Sequence, residues 1–201
     1  MVAKSLDLLI RDRHIGTWNE NKAETQFQGE GSTHELAALL LTETIQHSLY
    51  ALKQPMYALY LDAKSAFDVV LRELLVKNLF NMGTFGHSLL YLDTRLRQRQ
   101  TFIDWDGKLM GPIIDEQGLE QGGVSSSDFY KIFGREQLAL AQKSSLRVKL
   151  GKNLTISAIC QAYDTVLTSN NINNLFYLLQ LTKTSAPSTL RRQDKTPGVL
   201  H

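Results

Sequence analysis

The sequence predicts an α+β fold in which helices pack on one face of a mostly antiparallel sheet. Two observations indicate this class. Short apolar runs of strand length are mixed along the chain with longer segments whose apolar residues recur at helical spacing. Two pairs of these short runs are also joined by tight turns, at Asp106-Gly107 and at residues 161–164. Hairpins combined with separate helices are typical of an antiparallel sheet covered by helices.

The first elements can be predicted from local signals. Residues 1–31 are polar and weakly patterned, with a loop expected from about residue 20 onward. The run Ser32-Thr33-His34-Glu35 has the pattern of a capping box, in which the Ser32 side chain accepts a hydrogen bond from the Glu35 amide at the start of a helix. That helix is expected to end before Pro55, because the residue ahead of a proline avoids helical geometry.

A buried strand is predicted over residues 56–61, where a short apolar run ends in Asp62. Gly83 marks the end of the helix that follows this strand. The remaining predicted elements, in chain order, are a helix over 66–81, a helix over 87–97, a hairpin of 101–105 with 108–114, a helix from about 126, strands over 156–160 and 165–168, and a helix over 173–181. Residues 183–201 contain two prolines and no apolar period, so we expect a poorly ordered tail.

Composition limits the class of protein. The 201 residues, 43% of them hydrophobic, suffice for one sizeable core. A net charge of +2 permits a nucleic-acid partner without arguing for one, since a binding face is a local feature. A single cysteine, Cys160, cannot form an internal disulfide and lies in an apolar run, which favours a small buried hydrophobe over a reactive thiol. There is no apolar run of about 20 residues and no signal-peptide pattern, so we expect no membrane span and a place in the nucleus or cytoplasm.

Three short segments carry residues suited to chemistry. Asp62 directly follows the predicted strand, Asp164 lies at the tip of the predicted second hairpin, and the run 118–123 holds three glycines around Gln121. Each has an ordinary structural interpretation when taken alone. Asp62 is a good cap for the next helix, Asp164 is a common turn residue, and glycines make loops. Only a fold that joins the two aspartates would make them a pair of metal ligands.

In their order and spacing these segments closely resemble the reverse transcriptase domain of non-LTR (LINE-type) retrotransposons. The motifs are the strand ending in Asp62 with Ala66-Phe67-Asp68, then Gly118-Leu119-Glu120-Gln121-Gly122, then the hairpin with Asp164, and the similarity covers roughly residues 26–181. The resemblance implies the palm of a right-hand polymerase with partial fingers, and RNA-directed DNA polymerase activity. The expected division is an N-terminal segment over 1–31, a fingers and palm domain over 32–182, and the tail over 183–201.

The resemblance also implies roles for particular residues. Asp62 and Asp164 correspond to catalytic aspartates that bind two Mg²⁺ ions. Phe67 corresponds to the bulky residue that crowds the sugar 2′ position, and Gln121 with Gly122 to the loop that shapes the nucleotide pocket. The implied partners are an RNA template, a DNA primer and deoxynucleoside triphosphates.

The sequence departs from the family most clearly at Tyr163, which stands where the family has the first aspartate of a pair. A phenol, with a pKa of about 10, is neutral near pH 7 and replaces a carboxylate poorly. Ser126 stands where the family often has proline, Glu30 lies near an expected basic residue, and no thumb is visible, so we expect a truncated element. Two hypotheses follow: a weakened polymerase, or a non-catalytic remnant that at most binds nucleic acid. A third is an unrelated α+β binding domain with chance motif matches.

Other candidate sites are less specific. Arg95, Arg97 and Arg99 form a basic cluster beside Tyr91, which suits either contact with a phosphate backbone or a solvated helix end. The five histidines show no metal-ligand spacing, and the chain has neither a Walker-type phosphate loop nor a nucleophile elbow.

Overall fold

The computed structural model describes residues 2–23, 25–27, 33–62, 65–115, 117–151, 154–161, 164–185 and 198–200. Its helices are α1 (Val2–Glu20), α2 (His34–Gln46, followed by a π-helical turn over His47–Ala51), α3 (Arg72–Asn81), α4 (Gly86–Arg97), α5 (Ser126–Lys143) and α6 (Ile172–Ser185). Its strands are β1 (Gln26–Phe27), β2 (Met56–Leu61), β3 (Gln100–Trp105), β4 (Lys108–Ile114), β5 (Val148–Lys149), β6 (Thr155–Ile156), β7 (Ala158–Gln161), β8 (Asp164–Ser169) and β9 (Gly198–Leu200).

The chain divides into two compact units. The first consists of Met1–Asn21 with Ser65–Phe133, and the second of Lys22–Lys64 with Gly134–His201. The predicted division into residues 1–31, 32–182 and 183–201 follows functional regions along the sequence rather than compact units in space, and it stays a prediction. The α+β class and the mostly antiparallel sheet are confirmed.

The second unit is built around a five-stranded sheet with the order β1-β7-β8-β2-β9. Only the short β1 pairs in parallel, with β7; the other neighbours in this sheet are antiparallel. One face of the sheet carries buried apolar residues that pack on α6 and on the second half of α5. This core consists of Ala23, Leu59, Leu138, Ala141, Ala158, Cys160, Leu167, Leu175, Leu178 and Leu179. The predicted burial of Cys160 is confirmed, and burial raises the pKa of its thiol.

The helix α2 lies against β7 and β1, where Ala37 packs with Ile156 and Ile159. Its N-cap is Thr33, whose hydroxyl accepts from the Leu36 amide at 3.4 Å. The sequence pattern predicts this role for Ser32, which lies outside the described residues. A Thr33 hydroxyl reaches the amide three residues on just as a serine does, so either register of the cap is compatible with the pattern.

The first unit has its own core, formed where α1, α3 and α4 meet the start of α5. Its buried residues are Ile10, Trp18, Val70, Leu75, Leu79, Met82, Leu92, Leu119, Phe129, Ile132 and Phe133. Two of the polar groups inside it are paired: the Trp18 indole donates to the Thr84 hydroxyl at 2.9 Å, and the Asn78 amide donates to the Ile132 carbonyl at 3.2 Å. Helix α1 was not expected, because its apolar residues are too scattered to produce a clear helical period.

The start of α3 differs from the prediction. The expected helix over 66–81 begins only at Arg72, and residues 65–69 form turns. The reason is tertiary: the carbonyls of Phe67 and Val70 accept hydrogen bonds from the amides of Leu119 and Gly118, so they are not used in an earlier helical turn. Distant partners can override local helix propensity in this way.

The two predicted hairpins are present. Asp106 and Gly107, with φ of 52° and 74°, form the turn between β3 and β4, and positive φ at both central residues is typical of a type I′ turn. In the second hairpin Gln161 pairs with Asp164, so the connection is residues 162–163, which lie outside the described residues. Within the predicted tail, residues 183–185 belong to α6, and β9 pairs with β2. The poorly ordered tail stays a prediction. In the part of the chain that the structure describes, no helix is long and apolar enough to cross a membrane.

The His14 imidazole gives the first unit a sensitivity to acid. Its ring stacks on Trp18 with centroids 6.0 Å apart, and its buried Nε2 has no hydrogen-bond partner among the described residues. Burial lowers the pKa of His14, and the charge of Arg13 lowers it further. The unfolded chain therefore binds this proton more readily, and folded stability should fall as the pH drops below the ordinary histidine pKa of about 6.5.

We expect His14→Gln to lose less stability than the wild type when the pH is lowered from about 7.5 to about 5.5, since glutamine does not titrate. Urea denaturation across this pH range measures the difference. His87→Gln, on the exposed surface of α4, is the matched control and should keep the wild-type pH dependence. Parallel stability curves for His14→Gln and the wild type would contradict the assignment.

Candidate active site

The two predicted catalytic aspartates lie next to the paired ends of β2 and β8, at one end of the central sheet. Strands β2 and β8 are antiparallel neighbours, and the last residue of β2, Leu61, pairs with Thr165. Asp62 follows Leu61 and Asp164 precedes Thr165, so one further step in the register sets the two aspartates opposite each other. Directly opposed residues of an antiparallel pair place their side chains on the same side of the sheet. Both aspartates are exposed.

Local sequence explains why the strands end there. The buried residues Met56, Ala58 and Leu59 hold β2 inside the sheet, and β8 is anchored by Leu167 and its buried neighbours at the far end. Beyond Leu61 the apolar run stops, and the hairpin connection after Gln161 ends β7. Asp62 and Asp164 at this edge are therefore exposed and not part of the core. Tyr163 lies outside the described residues, so its position in the hairpin stays a sequence prediction.

The donor atoms at this end of the sheet are suited to a hard cation. Mg²⁺ usually takes one or two protein carboxylates and completes its shell with water and substrate phosphates. Asp62 and Asp164 provide two carboxylates, and Gln161, the partner of Asp164, keeps a buried side-chain oxygen without a donor among the described residues. The described residues contain no cluster of three or more His, Cys, Asp or Glu that could hold a metal by itself. The carboxylate pair fits magnesium that is held jointly with a substrate.

The other predicted site residues belong to the first unit, where two segments distant in sequence are joined. The turn over residues 65–70 carries Phe67, and the glycine run carries Gln121 and Gly122. The Gly118 amide donates to the Val70 carbonyl at 2.8 Å, and the Leu119 amide donates to the Phe67 carbonyl at 2.9 Å. The Phe67 ring, half-buried, lies 6.0 Å from the ring of Tyr130. The structure therefore links the predicted sugar-selecting residue to the predicted nucleotide loop.

The later part of the glycine run, residues 120–123, forms a turn ahead of α5. The Gly123 amide donates to the Glu120 carbonyl at 3.2 Å, which closes the turn around Gln121 and Gly122. Gly122 has φ of 77°, a backbone conformation that favours glycine. Both Gln121 and Gly122 are exposed, so their side-chain and backbone groups are open to a ligand.

Arg72 supports this loop and was missed by the sequence analysis. Its side chain is 4% exposed, and its guanidinium donates to the carbonyls of Asp115, Gln117 and Gly118, the last two at 2.9 Å. Burial lowers the pKa of Arg72, although the carboxylate of Asp115 opposes that change. A signal was available: Arg72 lies three and seven residues before Leu75 and Leu79, on the buried side of α3, where a charged residue needs partners.

The basic cluster is occupied by ion pairs. Arg95 pairs with Asp7 at 2.9 Å and with Glu120 at 3.5 Å, while Arg97 pairs with Asp93 at 2.5 Å. Arg99 lies 3.6 Å from Asp115. These contacts favour the interpretation of a solvated helix end over that of a phosphate-binding patch.

Comparison with known proteins gives the class of fold. No protein-family model matches the chain, and no curated protein matches it. Among solved structures, apo telomerase from Candida tropicalis truncated from its C-terminal domain aligns with a TM-score of 0.62 at 15% identity, covering 88% of this chain and 38% of that one. Telomerase from Candida albicans in complex with a fragment of telomeric RNA aligns with a TM-score of 0.60 at 12% identity, covering 98% and 33%.

A second structure of apo telomerase from Candida tropicalis gives a TM-score of 0.57 at 13% identity, covering 92% of this chain and 34% of that one. The chain thus spans about a third of the length of these telomerase chains. The shared architecture is the fold of a reverse-transcriptase-like nucleic-acid polymerase. At these identities the likeness establishes the fold.

Substitution of Gly118 should disrupt the contact between the turn over residues 65–70 and the glycine run. Gly118 has φ of 92°, and a Cβ there would lie 3.1 Å from the Asp68 Cα and 3.2 Å from the Phe67 carbonyl oxygen. We expect Gly118→Ala to cost about 1–3 kcal/mol of folding stability, because it adds a strained conformation and a backbone clash. Urea denaturation measures this cost.

The matched control is Gly134→Ala. Gly134 lies in α5, and an added Cβ meets nothing within 4 Å. Because alanine favours a helix over glycine by up to about 1 kcal/mol, this variant should be neutral or slightly stabilised. Equal stability of Gly118→Ala and the wild type would show that the junction tolerates a side chain.

Proposed function

We propose that this chain is the fingers and palm part of a reverse transcriptase of the non-LTR retrotransposon type, and that its reaction is RNA-directed DNA synthesis. The observation that carries the proposal is the register of β2 and β8, which brings Asp62 and Asp164 to the same end of the sheet. The reverse-transcriptase-like fold and the order of the sequence motifs support it. The retrotransposon origin rests on the motifs.

In this proposal Asp62 and Asp164 hold Mg²⁺ together with the substrate. The ions, when bound, stabilise the negative charge on the attacking and leaving oxygens of nucleotidyl transfer. The two exposed carboxylates supply the negative charge that keeps cations at this end of the sheet. The remaining work of the chain is positioning, which is the main contribution of a protein to phosphoryl-group chemistry.

Phe67, Gln121 and Gly122 have the proposed task of holding the nucleotide. A bulky ring such as that of Phe67 excludes a 2′ hydroxyl and so selects deoxynucleotides. The exposed turn around Gln121 and Gly122 offers an amide side chain and an unobstructed backbone. The direct hydrogen bonds between the turn over 65–70 and residues 118–119 support a joint role, since they couple the positions of the two segments.

The proposed macromolecular partners are an RNA template and a DNA primer. One of the matching telomerase structures is a complex with RNA. For this chain the net charge of +2 is small, so we expect nucleic-acid binding to depend on a local surface and to weaken as salt rises.

The residue Tyr163 supports a second candidate function, that of a non-catalytic remnant that binds nucleic acid without turnover. A phenol is neutral at pH 7 and does not replace the carboxylate of the family pattern. If its presence removes about 3–5 kcal/mol of transition-state stabilisation, the rate falls roughly 10² to 10⁴-fold. The two candidate functions therefore differ in whether the wild type still synthesises DNA, weakly or not at all.

A primer-extension assay on an RNA template distinguishes them. We expect Tyr163→Asp to raise the rate about 10² to 10⁴-fold over the wild type, and Asp62→Asn to abolish extension in both backgrounds. Synthesis by Tyr163→Asp alone identifies the wild type as a remnant, while similar synthesis by both shows that the missing carboxylate matters little.

The matched control for charge removal is Asp12→Asn, because the Asp12 side chain on α1 is 69% exposed. This variant should extend primers as its parent does. Binding of the primer–template, measured by fluorescence anisotropy at two salt concentrations, completes the test. A wild type and a Tyr163→Asp variant that neither bind nor extend the primer–template would refute both candidates and favour an unrelated binding domain.

A further inference from the structure

Arg72 is a buried cation whose guanidinium hydrogen-bonds backbone rather than a carboxylate. All three of its nitrogen atoms donate to backbone carbonyls, those of Asp115, Gln117 and Gly118. A buried charge is expensive unless it is fully hydrogen-bonded. The rigid, planar fork of a guanidinium can meet several acceptors in one geometry, which a lysine ammonium cannot. Arg72 therefore stabilises one particular conformation of this backbone segment.

That segment leads directly into the proposed nucleotide loop. The last of the three acceptors belongs to Gly118, three residues before Gln121. The loop also borders a cavity of about 420 Å³, which Gly118, Leu119, Glu120 and Gly123 help to line. Leu119 anchors one point of the loop in the core, and Glu120 pairs with Arg95 at 3.5 Å. The segment ahead of Leu119 is fixed by hydrogen bonds, from Arg72 and from the amides of Gly118 and Leu119 to the turn over 65–70.

We propose that Arg72 is a positioning residue that holds the Gln121 loop in the conformation that binds the incoming deoxynucleotide. The inference rests on the proposed function and extends it to a residue outside the family motifs quoted above. Arg72 follows the Phe67 turn in sequence and clamps the segment before Gln121, so it fixes the spacing between the two groups that hold the nucleotide. It touches neither substrate nor metal in this role.

The test is the equilibrium affinity of the full chain, bound to a primer–template, for a fluorescent deoxynucleoside triphosphate. Arg72→Ala should weaken nucleotide affinity about tenfold, as expected when a binding group is misplaced. Arg72→Lys should show most of the same loss, because it keeps the charge and lacks the fork. Guanidinium ion at millimolar concentration should restore affinity to Arg72→Ala and leave the wild type unchanged.

Two control variants separate positioning from folding. Leu75→Ala lies on the same helix, at a side chain that is 0% exposed, and should lower stability without changing nucleotide affinity or responding to guanidinium. Arg97→Lys removes an exposed guanidinium on α4 and should behave as the wild type.

Unchanged affinity in Arg72→Ala, or an equal loss in Leu75→Ala with no guanidinium rescue in either variant, would overturn the role of Arg72 and leave the proposed function standing. A wild type without affinity for the nucleotide would instead overturn the proposed function, and the role of Arg72 with it. Amide exchange at Gly118 and Leu119 should also be faster in Arg72→Ala, which links any loss of affinity to the loop.

Discussion

The pairing of β2 with β8 is the interaction on which the candidate active site depends. The two strands form five residue pairs, from Tyr57 with Ser169 to Leu61 with Thr165. Side chains alternate between the two faces of a sheet, so a slip of one residue would turn the buried Leu59 and Leu167 away from the core. The apolar face therefore holds the register, and the register in turn sets Asp62 and Asp164 at the same end of the sheet.

A second constraint acts in the first unit, where backbone groups rather than apolar side chains fix the geometry. The carbonyls of Phe67 and Val70 accept hydrogen bonds from the amides of Leu119 and Gly118. The Arg72 guanidinium donates to three backbone carbonyls, those of Asp115, Gln117 and Gly118. Donors and acceptors that would otherwise be buried without partners satisfy one another. These hydrogen bonds fix the backbone position of the loop, even though a cavity lies beside it.

Elements with strong local signals were predictable from the sequence. Strand β2 is an uninterrupted apolar run, the β3–β4 turn has Asp-Gly, and α4, α5 and α6 begin within a residue of where the pattern indicated. The juxtaposition of the two aspartates was inferred from motif order, since no local signal reports a contact between distant residues. The elements that were missed depend on tertiary structure: α1 has a weak apolar period, and the first turn of the predicted helix at 66 is lost to hydrogen bonds with residues 118–119.

Two carboxylates at this end of the sheet add nothing to folding stability through their mutual interaction. Like charges directly opposite each other on neighbouring strands are destabilising by up to about 1 kcal/mol, and exposure to water reduces this further. No ion pair to Asp62 or Asp164 is found within the described ranges. Asp62 is explained locally as a strand-end residue and Asp164 as a hairpin residue. Neither local role involves the other aspartate. The proposed Mg²⁺ shared by both would offset the repulsion between them, which is why the proposal treats the two residues together.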